Sequence, residues 1–183
     1  MILPWPTLSK RPGGAFRIFS ISLETKRSPR NGHEQEFVIL HTPDWVNVIA
    51  ETVDHQLVMV EQYRHGSDTI ELEIPGGMID NADPSPLEAG LRELREETGY
   101  EGTEVVDLGS VFGNPAIMNN RCHTVLARNC VKRHAVDLDH GEDIATRLVP
   151  VSEVDALVNA GTFGHPLVVA ALYKFRLWRE ARR

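Results

Sequence analysis

Residues 77–100 of this chain read GMIDNADPSPLEAGLRELREETGY and combine prolines, an acidic run and glycines at both ends. Pro84 and Pro86 suit the first turn of a helix, where a missing backbone N–H costs nothing. Gly99 suits the position just beyond a helix end, where the backbone turns left-handed. The pattern therefore predicts a helix that begins at Pro84 or Pro86, runs to Glu97 or Thr98 and stops at Gly99.

Two different faces follow from the helical period of about 100° per residue. Three carboxylates share one face, and three leucines form an apolar stripe that we expect to be buried. The carboxylates are Glu93, Glu96 and Glu97, and the leucines are Leu87, Leu91 and Leu94. Gly90 lies between these faces; glycine inside a helix costs about 1 kcal/mol relative to alanine. We therefore expect another part of the backbone to approach the helix at Gly90.

The acidic face has two interpretations. Carboxylates this close repel one another unless a positive charge lies among them, and Mg²⁺ binds a few carboxylates together with substrate phosphates. Alternatively, Glu88 with Arg92 and Arg92 with Glu96 form ordinary i,i+4 ion pairs on a solvated helix. The helix composition by itself leaves both readings open.

Working outward from the helix, the chain shows many short strand patterns. We predict strands at 15–25, 36–40, 45–53, 56–63, 69–74, 103–112, 122–131 and 146–151. The strand at 69–74 alternates, with Ile70 on its apolar face and Glu71 and Glu73 on its polar face. The first dozen residues, rich in proline, are expected to form an irregular arm. Two helices are expected to close the chain, the first capped by Ser152. This pattern predicts an α+β domain with a mixed sheet.

The composition limits the class of protein. At 183 residues the chain fits one domain with a small appendage, and its formal charge of −7 argues against a general nucleic-acid binder. The N-terminus lacks a signal-peptide pattern, and no stretch approaches the roughly 20 apolar residues of a membrane helix. Cys122 and Cys130 form no CxxC motif, which favours a cytoplasmic protein without disulfides or zinc.

Residues 77–100 resemble the Nudix box, written G-x5-E-x7-R-E-U-x-E-E-x-G-U with U bulky and apolar. The right half matches fully, from Arg92 through Gly99 to Tyr100. The left half departs from the pattern: residues 78–91 separate Gly77 from Arg92 by fourteen residues instead of thirteen. The upstream glutamate is absent, and Asp83 or Pro84 occupies its place.

The resemblance implies a fold, a cofactor and several roles. It implies a Nudix-like α/β/α sandwich in residues 43–183 and an N-terminal arm with an antiparallel β extension in residues 1–42. Glu93 and Glu97 would bind the metal, Mg²⁺ or Mn²⁺, with Glu96 as a further ligand or a base and the Gly76 carbonyl completing the site. Arg92 would hold the carboxylates by ion pairing.

Features outside the box are similar to the ADP-ribose and nucleoside-diphosphate-sugar pyrophosphatase branch of that family. They are EQYRHG (61–66) before ELEIPGG (71–77), Pro115 sixteen residues after Gly99, and the extra N-terminal strands, which imply a homodimer. The implied substrate-binding residues are Arg64 and Arg121 for phosphates, Glu73 for base or ribose, and Trp45 for stacking. Glu142, in the acidic loop 137–143, is the candidate general base.

The resemblance implies Mg²⁺-dependent hydrolysis of ADP-ribose or a related nucleoside diphosphate sugar to a nucleoside monophosphate and a sugar phosphate. Alternatives remain open at this point. The substrate could be GDP-mannose, NADH or a dinucleoside polyphosphate. A Nudix module that binds ADP-ribose without cleaving it is a further possibility, because the upstream glutamate is missing.

Overall fold

The computed structural model describes residues 1–182, which divide into two compact units. The first unit consists of Met1–Asp44 and Phe112–Arg121. The second consists of Trp45–Val111 and the chain from Cys122 onward. The return of residues 112–121 to the first unit was not predicted, and the division at residue 42 stays a prediction.

The first unit is built on a three-stranded antiparallel sheet of β1 (Thr7–Ala15), β2 (Ser20–Arg27) and β3 (Glu34–His41). The expected irregular arm is therefore wrong from residue 7 onward. An edge strand tolerates proline because one side of its backbone has no partner, and β1 contains Pro12 next to a register shift. Residues 112–121 join this unit through backbone bonds, including Leu40 N–H to the Ile117 carbonyl at 2.7 Å.

The second unit is built around a mixed sheet. Its strands are β4 (Trp45–Thr52), β5 (Gln56–Arg64), β6 (Thr69–Glu73), β7 (Gly76–Met78), β8 (Tyr100–Glu101), β9 (Glu104–Phe112), β10 (Arg121–Lys132) and β11 (Ile144–Pro150). The main order is β11-β5-β4-β10-β8, with β6 on β5, β7 on β4 and β9 on β10. β4 and β10 run parallel, whereas β5 is antiparallel to its neighbours.

Helices cover both faces of this sheet. Successive residues of a strand point to opposite faces, so a buried strand packs against both helical layers. Val48 and Ala50 of β4 pack with Leu94 of helix α1 (Pro86–Thr98). Ile49, between them, packs with Phe175 of helix α3 (Pro166–Glu180). Each fully buried side chain of this size contributes about 1.5–3 kcal/mol. The predicted α+β class and the α/β/α sandwich are confirmed.

Helix α1 matches its prediction at both ends. The Ser85 hydroxyl caps it by accepting from the Glu88 N–H at 3.2 Å, and Pro86 occupies the first turn. Gly99 ends it with φ of 75°. The expectation for Gly90 is wrong in one respect: a Cβ there would lie 3.0 Å from the Val48 side chain, so valine side chains, and not backbone, approach the helix.

Two further expectations are corrected. Ser152 caps no helix: it lies in a 3-10 turn (Val151–Glu153), and the following helix α2 (Val154–Asn159) has no side-chain cap. In β6, Ile70 is 75% exposed and Glu73 is buried, so the burial of these two residues does not follow the predicted apolar and polar faces. The cause is tertiary, because Glu73 has an arginine partner inside the second unit. No helix in residues 1–182 is long and apolar enough to span a membrane.

Candidate functional site

The acidic face of α1 lies against the glycine pair that opens β7. Glu97 is buried, and one of its carboxylate oxygens accepts from the Gly76 N–H at 3.1 Å. A Cβ on Gly77 would lie 2.6 Å from the Glu93 carboxylate, so a side chain at this position would have to displace that carboxylate. The helix and the strand thus bring two carboxylates and a glycine backbone into direct contact.

Arg92 holds this face together by pairing with the carboxylates of Asp83, Glu93 and Glu96. Its Nε and Nη2 donate to the two oxygens of Asp83 at 3.1 and 3.0 Å, a bidentate pair. Nη2 also lies 3.0 Å from Glu93, and Nη1 donates to Glu96 at 2.9 Å. The pairing with Arg92 lowers the pKa of Asp83 and raises that of Arg92. Arg92 therefore forms the ion pairs that the resemblance implied.

Burial of these carboxylates has an electrostatic consequence. Loss of solvent raises the pKa of Glu93 to about 7, against the lowering effect of Arg92. Burial likewise raises the pKa of Glu97 to about 8, and the charges of Glu93 and Glu142 add to the rise. Glu142 thus lies close enough to influence both. A bound cation would stabilise the charged form of these two neighbouring carboxylates, whose pKa values are raised.

The donor chemistry fits a hard divalent cation, since all the side-chain donors are carboxylate oxygens. Within residues 1–182, no three His, Cys, Asp or Glu side chains converge as a preformed metal site. Contacts within the site explain why the carboxylates do not converge on one point. Arg92 holds Glu93 and Glu96, and the Gly76 N–H holds Glu97.

A cleft of about 470 Å³ opens beside the glycine pair. It lies where β4 and β5 separate. These two strands pair with each other at Glu51 and Leu57, near their turn; farther from the turn, β5 pairs with β6 and β4 pairs with β7. One wall carries Trp45, Val46, Asn47, Gly76, Gly77, Met78 and Cys122. The second wall, formed by β5, β6 and their turn, carries Arg64, His65, Gly66, Ser67, Glu71 and Glu73, with residues 164–167 at the start of α3. A concave site of this size accommodates a small ligand.

Three of the predicted substrate-binding residues line this cleft: Trp45, Arg64 and Glu73. Arg64 and Glu73 form a bidentate pair, with Nε to Oε1 at 2.7 Å and Nη2 to Oε2 at 2.9 Å. The Glu73 side chain is 4% exposed, whereas that of Arg64 is 41% exposed. The hydrogen bond from Arg64 to Glu73 raises the pKa of Arg64, and the charges of Glu97 and Glu142 add to it. Arg64 therefore presents a positive charge to the cleft, within electrostatic range of Glu97 and Glu142.

The remaining candidates lie elsewhere. Arg121 belongs to the first unit, where its guanidinium lies 4.5 Å from the centre of the Phe112 ring. Its contact with substrate stays a prediction. Glu142 lies in the predicted acidic loop, where its carboxylate accepts from the Asp139 N–H at 3.1 Å.

Sequence reasoning missed part of the site. It left open whether Asp83 or Pro84 takes the place of the upstream glutamate, and in the structure Asp83 pairs with Arg92. It also missed Glu71 and His165 in the second wall of the cleft. His165 carried a local signal, since a residue before proline at a helix start is a capping position.

Comparison with known proteins agrees with this geometry. The NUDIX domain model matches residues 23–172. The chain is 34% identical over 127 residues to the methanol dehydrogenase activator of Bacillus methanolicus, covering 69% of this chain and 68% of that protein. It is 26% identical over 155 residues to the ADP-ribose pyrophosphatase of Bacillus subtilis, covering 84% and 83%. It is 25% identical over 167 residues to the ADP compounds hydrolase NudE of Escherichia coli, covering 91% and 87%.

A solved structure shares the fold. The crystal structure of an ADP compounds hydrolase superposes with a TM-score of 0.88 at 22% identity, covering 100% of this chain and 97% of that one. The mixed sheet, the acidic helix with its Arg92 pairs and the domain match agree with one another. Hydrolases with this domain use divalent metal ions. The chain belongs to the Nudix hydrolase family.

Proposed function

We propose that this protein hydrolyses the pyrophosphate bond of ADP-ribose or a related nucleoside diphosphate sugar, giving a nucleoside monophosphate and a sugar phosphate. The observation that carries the proposal is the acidic face of α1 lying against Gly76 and Gly77, which line a cleft large enough for a nucleotide sugar. The names of two relatives, an ADP-ribose pyrophosphatase and an ADP compounds hydrolase, support the choice of substrate.

The metal would be Mg²⁺, with Mn²⁺ as the alternative. Glu93, Glu96 and Glu97 would hold it together with the Gly76 carbonyl. Such an ion neutralises pyrophosphate charge and lowers the pKa of water. Arg92 keeps Glu93 and Glu96 in place through bonds of 3.0 and 2.9 Å.

The cleft residues would bind the substrate. Arg64 is the candidate for a phosphate contact, because its charge faces both the cleft and the acidic side chains. Glu73 uses both oxygens on Arg64, so we assign it to positioning that guanidinium. Trp45 offers a flat face for a nucleobase. Arg121 remains the candidate for a second phosphate contact.

A carboxylate must accept the proton of the attacking water. Glu142 is the preferred base because its charge raises the pKa of both Glu93 and Glu97. Glu96 is the second candidate, since its side chain remains 33% exposed while it pairs with Arg92.

Two further properties belong to the proposal. The first unit exposes several large apolar side chains, which favours a homodimer formed through that unit. Cys122 and Cys130 are both buried and lie outside any disulfide, which suits a cytoplasmic protein.

The experiment is the release of AMP from ADP-ribose with Mg²⁺, with Mn²⁺ and with EDTA, in parallel with GDP-mannose, NADH and a dinucleoside polyphosphate. Metal-dependent AMP release with the highest kcat/KM on ADP-ribose supports the proposal. A higher kcat/KM on another compound keeps the chemistry and replaces the substrate. Binding of ADP-ribose without turnover of any compound supports the alternative of a non-hydrolysing binding module.

The variant Glu97→Gln tests the assignment of the acidic face. We expect turnover to fall by about two orders of magnitude or more, because a neutral amide replaces a charged ligand. The fold should persist, since the amide also removes repulsion with buried Glu93. Glu88→Gln is the matched control, because Glu88 is exposed on the first turn of the same helix. Wild-type turnover in Glu97→Gln would contradict the metal assignment.

A further inference from the structure

The two walls of the cleft differ in chemistry. The wall formed by β4, β7 and β10 contributes Trp45, Val46, Met78 and Cys122, which are aromatic or apolar. The second wall, which contains β5, β6 and the start of α3, contributes arginine, glutamate and histidine side chains. A nucleobase offers a flat ring that stacks on an aromatic side chain. A sugar offers hydroxyl groups, which need hydrogen-bond donors and acceptors.

His165 supplies a hydrogen-bond donor on the second wall. Its Nδ1 accepts from the Leu167 N–H at 3.2 Å, which caps helix α3. One nitrogen of a neutral imidazole accepts and the other carries the proton. Because Nδ1 accepts, the neutral ring carries its proton on Nε2. The helix cap therefore sets the tautomer and leaves an N–H donor on a residue that lines the cleft.

Glu71 fixes the chain segment that carries His165. One of its oxygens accepts from the Thr69 hydroxyl at 2.6 Å, and the other accepts from the Gly164 N–H at 3.2 Å. A Cβ on Gly164 would lie 2.3 Å from that carboxylate, so the segment approaches Glu71 as closely as it does because residue 164 is glycine. The strand β6 thereby holds the start of α3 against the cleft.

The position of the pyrophosphate orders the two halves of the substrate. The charges of Glu97 and Glu142 raise the pKa of Arg64, so its guanidinium lies within electrostatic range of these carboxylates. It also lies on the same wall as Glu71 and His165. A pyrophosphate between the acidic face and Arg64 can extend one half of the substrate toward Trp45 and the other toward His165.

We propose that His165, positioned by Glu71 and Gly164, is a specificity-determining residue that donates a hydrogen bond from Nε2 to a hydroxyl of the terminal sugar. This inference rests on the proposed hydrolysis of a nucleoside diphosphate sugar. It assigns the sugar half to the Glu71–His165 wall and the nucleobase half to the Trp45 wall.

The test measures the two halves of the substrate separately. Ribose 5-phosphate and AMP, the products of ADP-ribose hydrolysis, are titrated calorimetrically into the Mg²⁺-loaded wild type and the His165→Asn variant. Asparagine is also a good N-cap, so the helix keeps its cap while the distant donor is lost. We expect the Kd of ribose 5-phosphate to rise about three- to tenfold, the effect of one hydrogen bond, with the Kd of AMP unchanged.

A second pair of variants tests the positioning role. Gly164→Ala pushes the Glu71 carboxylate away, which costs little stability because that side chain can move, and Glu71→Gln weakens the same link. Both should raise the KM for ADP-ribose and leave kcat within about twofold, and each should weaken the binding of ribose 5-phosphate selectively. His33→Ala, at an exposed turn of the first unit, is the control.

Each outcome decides the inference. Selective weakening of AMP in His165→Asn would place the nucleoside half at this wall and overturn the sugar assignment. Unchanged binding of both products, or no binding of ribose 5-phosphate to the wild type, would overturn the role of His165. Wild-type turnover of ADP-ribose tests the proposed function separately, because product binding requires no turnover.

Discussion

Arg92 organises the site at the scale of single residues. Its guanidinium holds Asp83 at two points and reaches Glu93 and Glu96 with its remaining N–H groups. Asp83 is itself fixed by the Asp80 N–H at 2.9 Å. The longer loop between Gly77 and Arg92 therefore still delivers a carboxylate to the arginine. Asp83 thus gives Arg92 a carboxylate partner although the upstream glutamate of the Nudix box is absent.

Removal of the Asp83 charge should disturb the acidic face indirectly. In Asp83→Asn we expect kcat to fall by about 10- to 100-fold and the Mg²⁺ concentration for half-maximal activity to rise, because Arg92 is then free to neutralise Glu93 and Glu96. Asp83→Glu should restore part of the activity. The measurement is a metal titration of initial rates. Equal kcat and metal dependence in wild type and Asp83→Asn would show that Arg92 needs no such partner.

At the scale of elements, the packing of α1 on the sheet depends on Gly90. A Cβ at this position would lie 3.0 Å from Val48 and 3.1 Å from Val46, both buried residues of β4. Valine side chains are stiff, and in a strand they have little room to move. The close approach brings the carboxylates of α1 onto the glycines of β7.

Gly90→Ala should therefore destabilise the protein. Alanine gains about 1 kcal/mol in helix propensity, but overpacking of a dense core costs about 1–3 kcal/mol. We expect the free energy of unfolding to fall by about 1 kcal/mol in urea titrations. Gly141→Ala, where a Cβ meets no neighbouring atom, is the control. A more stable Gly90→Ala variant would show that the valines can give way.

The sheet of the first unit contains a pH-sensitive ion cluster. Glu24 of β2 pairs with Lys10 at 3.0 Å and Lys26 at 3.2 Å, and it accepts from the Ser22 hydroxyl. Lys10 first, then Lys26 and Ser22, lower the pKa of Glu24 from 4.5 to about 2 against the effect of burial. A carboxylate with a lowered folded-state pKa stabilises the fold above its unfolded-state pKa and loses this effect on acidification.

Glu24→Gln should remove this contribution. At pH 7 we expect the variant to be less stable by about 1 kcal/mol, allowing for solvent screening of the pair with exposed Lys10. The difference from wild type should shrink as pH falls from 4.5 to 2, because the wild-type carboxyl becomes protonated in that window. Denaturant titrations at several pH values measure it. Glu36→Gln, in an exposed pair with Arg11, is the control; a difference that stays constant down to pH 2 would contradict the assignment.

At the scale of the whole molecule, the first unit exposes an unusual amount of apolar surface. The exposed large apolar side chains there are Met1, Ile2, Leu3, Trp5, Leu8, Phe16, Ile18, Val38, Phe112 and Ile117. Exposed apolar side chains in this number favour an interaction site on the first unit. We proposed above that a second copy of the chain covers it.

Light scattering coupled to gel filtration tests that homodimer. We expect the wild type to have twice the mass of the 20.5 kDa chain. Phe16 and Ile18 are 60% and 55% exposed, so the double replacement by serine removes apolar surface at little cost to the fold. It should shift the mass toward the monomer. A monomeric wild type would refute the dimer, and a dimeric double variant would move the interface away from these residues.

The sequence by itself determined the features that arise from local periodicity. The helical repeat places Glu93, Glu96 and Glu97 on one face, the prolines and Gly99 mark the ends of α1, and the alternating strands indicate a mixed sheet. These depend on a few consecutive residues, for which the backbone geometry has only a small number of solutions. The match to the Nudix box follows from the same local spacing.

Only the tertiary structure decided which distant residues meet. The pair of Asp83 with Arg92, the burial of Glu73 by Arg64 and the contact of Glu71 with Gly164 join segments 9 to 93 residues apart. β1 forms despite its proline because β2 supplies a partner, and the cleft opens because β4 and β5 separate. Such contacts depend on the packing of the whole chain, which buries polar groups only where a partner is present.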